Sequence, residues 1–306
     1  MLARQLRRVH AIVALLAIAA LGVAVAGYMP VLATLGWIVV LVVGLPALVV
    51  LISFAIAFAY RSSRPRQLRI GPFAWLKLVL IEIVAHLDWY GWRQARPARY
   101  QRDTALPEAG RVPVLLVHGY MCNAAVWSEF QRWFAEHGYA PYSVSLEPLL
   151  ESIDAMVDTL ASRLAEVSKA YDGRAIDIVA HSMGGLVTRT LIRRRGAAGI
   201  RSVITLGTPH HGTAVAVLAI GRSGCELRRG STWIRQLEEA QPSAPELPHG
   251  FATLFTYDDN LVSPQETSRL PGAVAIPISG IGHASLLRSR RVFELVLAWL
   301  KGESRA

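Results

Sequence analysis

The chain has 306 residues, 53% of them hydrophobic, and a net charge of +10. That length allows one large domain or two modest ones, and two cysteines, Cys122 and Cys225, cannot build a disulfide framework. Residues 1–102 hold twelve Lys or Arg against two acids, Glu82 and Asp88, whereas residues 103–306 hold twenty of each sign. The whole excess therefore lies beside apolar segments, which excludes a nucleic-acid partner and points to anionic lipid headgroups.

From Val9 to Tyr60 there is no Asp, Glu, Lys or Arg. The run is too long for one span, which needs roughly 20 residues. It breaks at Gly27-Tyr28-Met29-Pro30, giving one helix near residues 10–28 and a second near 33–60, with a kink expected around Gly44-Leu45-Pro46. A cleaved signal peptide is the rival for residues 1–27, with Arg4, Arg7 and Arg8 ahead of the apolar stretch and Ala24-Val25-Ala26 at its end; the second apolar run argues against simple secretion. Arg4, Arg7 and Arg8 before the first helix, and Arg61, Arg64, Arg66 and Arg69 after the second, place both ends of a transmembrane hairpin (residues 1–70) on the cytoplasmic side. The expected location is a bacterial inner membrane with a cytoplasmic C-terminal domain, where both cysteines stay reduced.

Residues 73–92 are apolar but interrupted by Lys77, Glu82, His86 and Asp88, with Trp75, Trp89, Tyr90 and Trp92 near the ends. This suits an interfacial helix, or equally a helix packed on the following domain. Residues 93–110, rich in Arg, Pro and Ala, read as a basic linker, so that 71–110 joins the hairpin to a domain at 111–306.

From Arg111 the pattern alternates. Residues 112–117 form a continuous apolar run, as a buried parallel strand requires, 123–136 are helix-like, and 140–145 are strand-like. Ile153, Met156, Val157, Leu160, Leu164 and Val167 mark an amphipathic helix, and 175–180 is another buried strand. The alternation predicts an α/β fold, a mostly parallel sheet with helices on both faces.

Ala180-His181-Ser182-Met183-Gly184-Gly185 then sits between a strand and a helix. A serine there occupies a sharp turn that needs small residues two before and two after it, here Ala180 and Gly184. The turn lifts the hydroxyl above the sheet and aims the amides of the helix N-terminus at a reacting carbonyl. Val117-His118-Gly119-Tyr120 follows the first strand and can present a further amide, so the oxyanion donors are assigned to Tyr120 and Met183.

These two segments, with Thr205-Leu206-Gly207-Thr208-Pro209-His210-His211-Gly212, resemble the small bacterial lipases of the α/β-hydrolase family over about residues 111–300. The usual pattern has glycine where Ala180 stands. The resemblance implies a Ser-Asp-His triad in that chain order. The family's acid lies three residues before a Val with Pro two further on; Asp259 fits that register and Asp258 is its neighbour. His283, between Ser279-Gly280-Ile281-Gly282 and a helix-like segment, stands where the family's histidine does. His181 is expected to point away from the nucleophile, and His210 and His211 to brace a loop. No acidic or Cys partner gives the His pair ligand spacing, so no metal and no cofactor are expected.

The implied activity is hydrolysis of lipophilic esters through an acyl-enzyme, with membrane lipids as surroundings. An acyltransferase or thioesterase uses the same triad, and a non-catalytic membrane scaffold is the rival from another class; hairpin helices without intramembrane charge offer no transport path. Residues 213–249 are either a small lid over the pocket or an ordinary helix and loop. Oligomeric state is not written in the sequence.

Overall fold

The computed structural model describes residues 1–28, 30–101, 103 and 110–303. Helices α1 (Leu2–Val25) and α2 (Val31–Ala59) form the N-terminal hairpin. Both are long and apolar enough to cross a membrane. Helix α1 starts well before residue 10, because arginine is a good helix former and Arg7 is engaged, its Nη1 donating to the Ala95 carbonyl at 2.7 Å. Helix α2 widens into one π turn at Val40–Gly44, just ahead of Pro46. Proline has no amide to give and crowds the carbonyl four residues back, and the wider turn absorbs both effects.

Helix α3 (Pro72–Asp88), extended by a π turn at Trp89–Arg93, follows. Its two sides differ. Val79 and Leu78 pack with Val50 and Phe54 of α2, while Ala85 and Trp89 join the core beneath the sheet. Phe73, Leu76, Leu80 and Val84 remain exposed. One face thus packs on the domain and another is left apolar toward the outside. Part of the expected linker, residues 102 and 104–109, lies outside the described residues. The rest is tied down: Gln94 accepts from Asn123 N and Nδ2 at 2.9 Å, and the Asp103 carboxylate takes Ser143 N at 3.0 Å and Arg163 Nη2 at 2.7 Å.

The domain is one six-stranded sheet: β1 (Val112–Val117), β2 (Tyr139–Val144), β3 (Ile176–His181), β4 (Ile200–Leu206), β5 (Phe251–Thr256) and β6 (Val274–Ile278). Their order is β2-β1-β3-β4-β5-β6, and every pair is parallel. Such strands must be apolar on both faces, since crossover helices cover each side. Helices α4 (Ser128–Glu136) and α9 (Arg290–Lys301) pack on one face with α3. Helices α5 (Ile153–Ala170) and α6 (Met183–Arg195) pack on the other. Two short helices, α7 (Gly221–Glu226) and α8 (Thr232–Ala240), lie between β4 and β5. The chain runs from β1 outward to β2 and then back across to β3, so the order reverses beside β1. Ligands collect at such a switch point, outside the carboxyl ends of the strands. Val117 pairs with Ala180, which sets the ends of β1 and β3 side by side.

Candidate active site

Ser182 sits at the junction of β3 and α6 with φ 56° and ψ −128°, a conformation that a non-glycine residue adopts only under constraint. The constraint is visible. Its amide donates to Leu206 O at 2.9 Å, and its carbonyl accepts from Thr208 Oγ1 at 2.8 Å and from Gly185 N at 3.1 Å. The Thr205–Gly212 segment thus clamps the turn from the next strand. A Cβ at Gly184 would lie 2.5 Å from Val117 O, so any side chain there would push β1 off the elbow. A Cβ at Gly119 would lie 2.6 Å from Ser182 Cβ and 3.2 Å from its Oγ. The turn after β1 is therefore pressed against the hydroxyl. Among the described residues, the amides of Tyr120 and Met183 have no hydrogen-bond acceptor. Met183 is the first residue of α6, where amides lack an intrahelical partner.

The two adjacent aspartates after β5 do different work. Asp259 Oδ2 lies 2.9 Å from His283 Nδ1, and its Oδ1 accepts the amides of Leu261 at 2.8 Å and Val262 at 2.7 Å. Asp258 turns the other way, taking Arg64 Nη2 on Oδ1 at 2.6 Å and Gly280 N on Oδ2 at 2.7 Å. Asp259 and His283 are both buried, and His283 and Ser182 line one cavity of about 900 Å³. With Nδ1 committed to Asp259, Nε2 is the nitrogen left for a proton from that cavity. Burial lowers the His283 pKa, but the charge and hydrogen bond of Asp259, aided by Glu82, outweigh it and hold the imidazole above its ordinary 6.5.

In the sequence Glu82 reads only as an interruption of an apolar helix. It is fully buried, and its carboxylate accepts from Ala284 N at 2.5 Å, Ser285 N at 3.1 Å and Ser285 Oγ at 2.6 Å. It therefore holds the chain immediately after His283. Asn260 is a second such residue: its Oδ1 accepts from His283 N at 3.2 Å and its Nδ2 donates to Ser53 Oγ of α2 at 2.9 Å.

Four further histidines are held by neighbouring groups. His118 is buried, which lowers its pKa to about 4; Nε2 accepts from Leu146 N at 2.9 Å, leaving Nδ1 to donate to Gly119 O. His181 does not point away from the site. Its ring centroid is 4.6 Å from that of His283, and its Nε2 donates to the His283 carbonyl at 3.2 Å. His210 packs on the buried Arg189, whose Nη1 donates to His210 O at 3.2 Å. His211 pairs with Glu238. No group of three metal-binding side chains occurs among the described residues. Both cysteines are free, and burial pushes the Cys122 thiol up to about 12.

The segment 213–249 divides in two. Val215, Ala216, Leu218 and Leu227 cover part of the cavity, and Tyr120 Oη bonds both the amide and carbonyl of Ile220. Beyond it, α8 packs Ile234 and Leu237 into the main core as an ordinary helix.

Comparison with known proteins agrees with this architecture. Residues 79–220 match a domain of unknown function, DUF7379; the match begins inside α3. A triacylglycerol lipase of Burkholderia plantarii is 29% identical over 130 residues, 40% of this chain and 36% of that protein. A non-heme chloroperoxidase, CPO-A1, of Kitasatospora aureofaciens is 28% identical over 100 residues, 31% of this chain and 36% of that protein. The chain thus spans about a third of the length of these curated relatives. Among solved structures, the mature Bacillus licheniformis lipase BlEst2 superposes with a TM-score of 0.57 at 21% identity, covering 65% of this chain and 96% of that one. Aspergillus fumigatus lipase B gives 0.56 at 15% identity, covering 67% and 56%. With its parallel sheet and the serine elbow after β3, the chain has the α/β-hydrolase fold, preceded by two N-terminal helices apolar enough for a membrane anchor.

Proposed function

We propose that the protein is a serine ester hydrolase of lipophilic substrates, with Ser182 as nucleophile, His283 as base and Asp259 as its orienting acid. The observation that carries this reading is the 2.9 Å contact between Asp259 and His283, beside a cavity that the strained Ser182 also lines. Ser182 Oγ attacks the ester carbonyl carbon while His283 Nε2 takes its proton. The oxyanion is held by the amides of Tyr120 and Met183, each such donor being worth ~2.7–4 kcal/mol in the transition state. The C–O bond of the ester breaks, and His283 returns the proton to the departing alkoxide. Water then attacks the acyl-serine with His283 again as base, releasing a carboxylic acid and regenerating the hydroxyl. The likeness to lipases supports the ester as the bond cleaved.

Ser182→Ala tests the proposal. Hydrolysis of p-nitrophenyl butyrate should fall by roughly 10³-fold or more, and labelling by a fluorophosphonate should vanish, with the melting temperature retained. Full activity in that variant would remove Ser182 from the mechanism.

A further inference from the structure

The cavity that reaches Ser182 is walled on its outer side by the N-terminal hairpin, not by the hydrolase domain alone. Leu6, Val13, Ala14 and Ala17 of α1 and Leu45 and Val49 of α2 line it, together with His283 and Ser182. No Asp, Glu, Lys or Arg lines it among the described residues, and its polar walls include His10 and His86. From Leu6 to Ala17 the α1 wall is about 16 Å long at 1.5 Å per residue, roughly the length of an extended acyl chain of a dozen carbons joined by ~1.5 Å bonds. The hairpin is also fastened to the site. Ser53 receives Asn260 Nδ2, Ser263 Oγ donates to Ala57 O at 2.9 Å, and Arg64 holds Asp258. A tether needs none of these contacts.

We infer that the two N-terminal helices form the acyl-chain subsite of the enzyme, so that the fatty chain of an uncharged lipid ester lies between α1 and α2 while its carbonyl meets Ser182. This rests on the ester-hydrolase reading and adds where the chain is bound and what headgroup is excluded. Apolar walls favour a hydrocarbon, at about 25 cal/mol per Å² of surface removed from water. With no Lys or Arg on its walls, the cavity offers an anionic phosphate beside the scissile ester no permanent positive charge.

The test is a chain-length profile in detergent micelles. Ala14→Trp and Ala17→Phe fill the α1 wall; Leu16→Trp, on a residue of α1 that is exposed and does not line the cavity, is the control. Wild type and Leu16→Trp should prefer p-nitrophenyl palmitate to butyrate. The two filling variants should lose that preference by tenfold or more. Labelling of Ser182 by a short-chain fluorophosphonate reports whether each variant still holds an assembled site. An unchanged profile in both labelled variants overturns the subsite, as does a wild-type preference for dipalmitoylphosphatidylglycerol over dipalmitoylglycerol. Should both filling variants fail to label, Val49→Ala is decisive: enlarging the α2 wall should shift the optimum to longer or bulkier acyl groups, and an unaltered optimum refutes the proposal. Absence of hydrolysis and of labelling in the wild type would instead defeat the ester-hydrolase reading itself.

Discussion

At Glu82 a single buried carboxylate is bound to two amides and a hydroxyl, all from the two residues that follow His283. Hydrogen bonds to a charged group are each worth about 1.5–3 kcal/mol, so Glu82 fixes where the histidine stands. Its charge also helps to raise the His283 pKa. The sign of the pH dependence follows. A base must be neutral, so activity should be present above the folded-state pKa and be lost as pH falls through it, with the midpoint above 6.5. Glu82→Gln removes one raising influence and should move that acid limb to lower pH, besides lowering the rate. A pH–rate profile of kcat/KM separates the two roles, because a merely structural loss scales the curve without displacing it. Glu82 is thus a positioning residue, and in the sequence it is one of several polar interruptions of an apolar helix, beside Lys77, His86 and Asp88.

Among the elements, α2 has the largest unexpected role. A membrane helix that only tethers a domain would end in a solvated linker. Here Ser53 and the Ala57 carbonyl are bonded to the loop that carries Asp259. Ser53 is buried, and removing its hydroxyl leaves the Asn260 Nδ2 donor without an acceptor, at a cost of about 1–3 kcal/mol. Ser53→Ala should therefore lower the melting temperature by a few degrees, on the scale of ~2–4 °C per kcal/mol, and should slow ester hydrolysis through Asn260, which also holds the His283 amide. Thermal unfolding monitored in detergent, alongside the rate, checks both. The elbow element is held from within the domain: Leu206 O takes the Ser182 amide, Thr208 Oγ1 donates to its carbonyl, and Val117 O abuts Gly184.

For the molecule as a whole, charge and position agree. Arg7 and Arg64, at the two open ends of the hairpin, are both tied down, Arg7 to Ala95 O of the connecting segment and Arg64 to Asp258 of the hydrolase domain. The turn between α1 and α2 is uncharged and lies at the other end of the helices. The positive ends and the hydrolase domain should then occupy the same, cytoplasmic side. A fluorescent protein fused to the C-terminus should fluoresce in the cytoplasm, and alkaline phosphatase in its place should be inactive. The reverse pattern would place the active site outside. The exposed apolar face of α3 and the exposed Val217, Leu218 and Ile220 are consistent with a domain resting against the bilayer.

Local patterning along the chain carries the class of fold and many of its elements. Continuous apolar runs located the second hairpin helix and strands β1, β2 and β3 to within a residue or two, because burial on both sides of a parallel sheet leaves no polar face; α1 starts further upstream, among Arg4, Arg7 and Arg8. The small residues around Ser182 are equally local, since the turn can be made no other way. Contacts across long chain separations emerge only once the chain is folded. Asp259 is set apart from Asp258 by its register to Val262 and Pro264, and the fold shows what each carboxylate meets, His283 for one and Arg64 for the other. It brought Glu82 to the residues after His283, more than 200 positions along the chain. It also made the hairpin a wall of the cavity, which no helix periodicity can express, because hydropathy records how much a residue avoids water and not which surface it meets when it does.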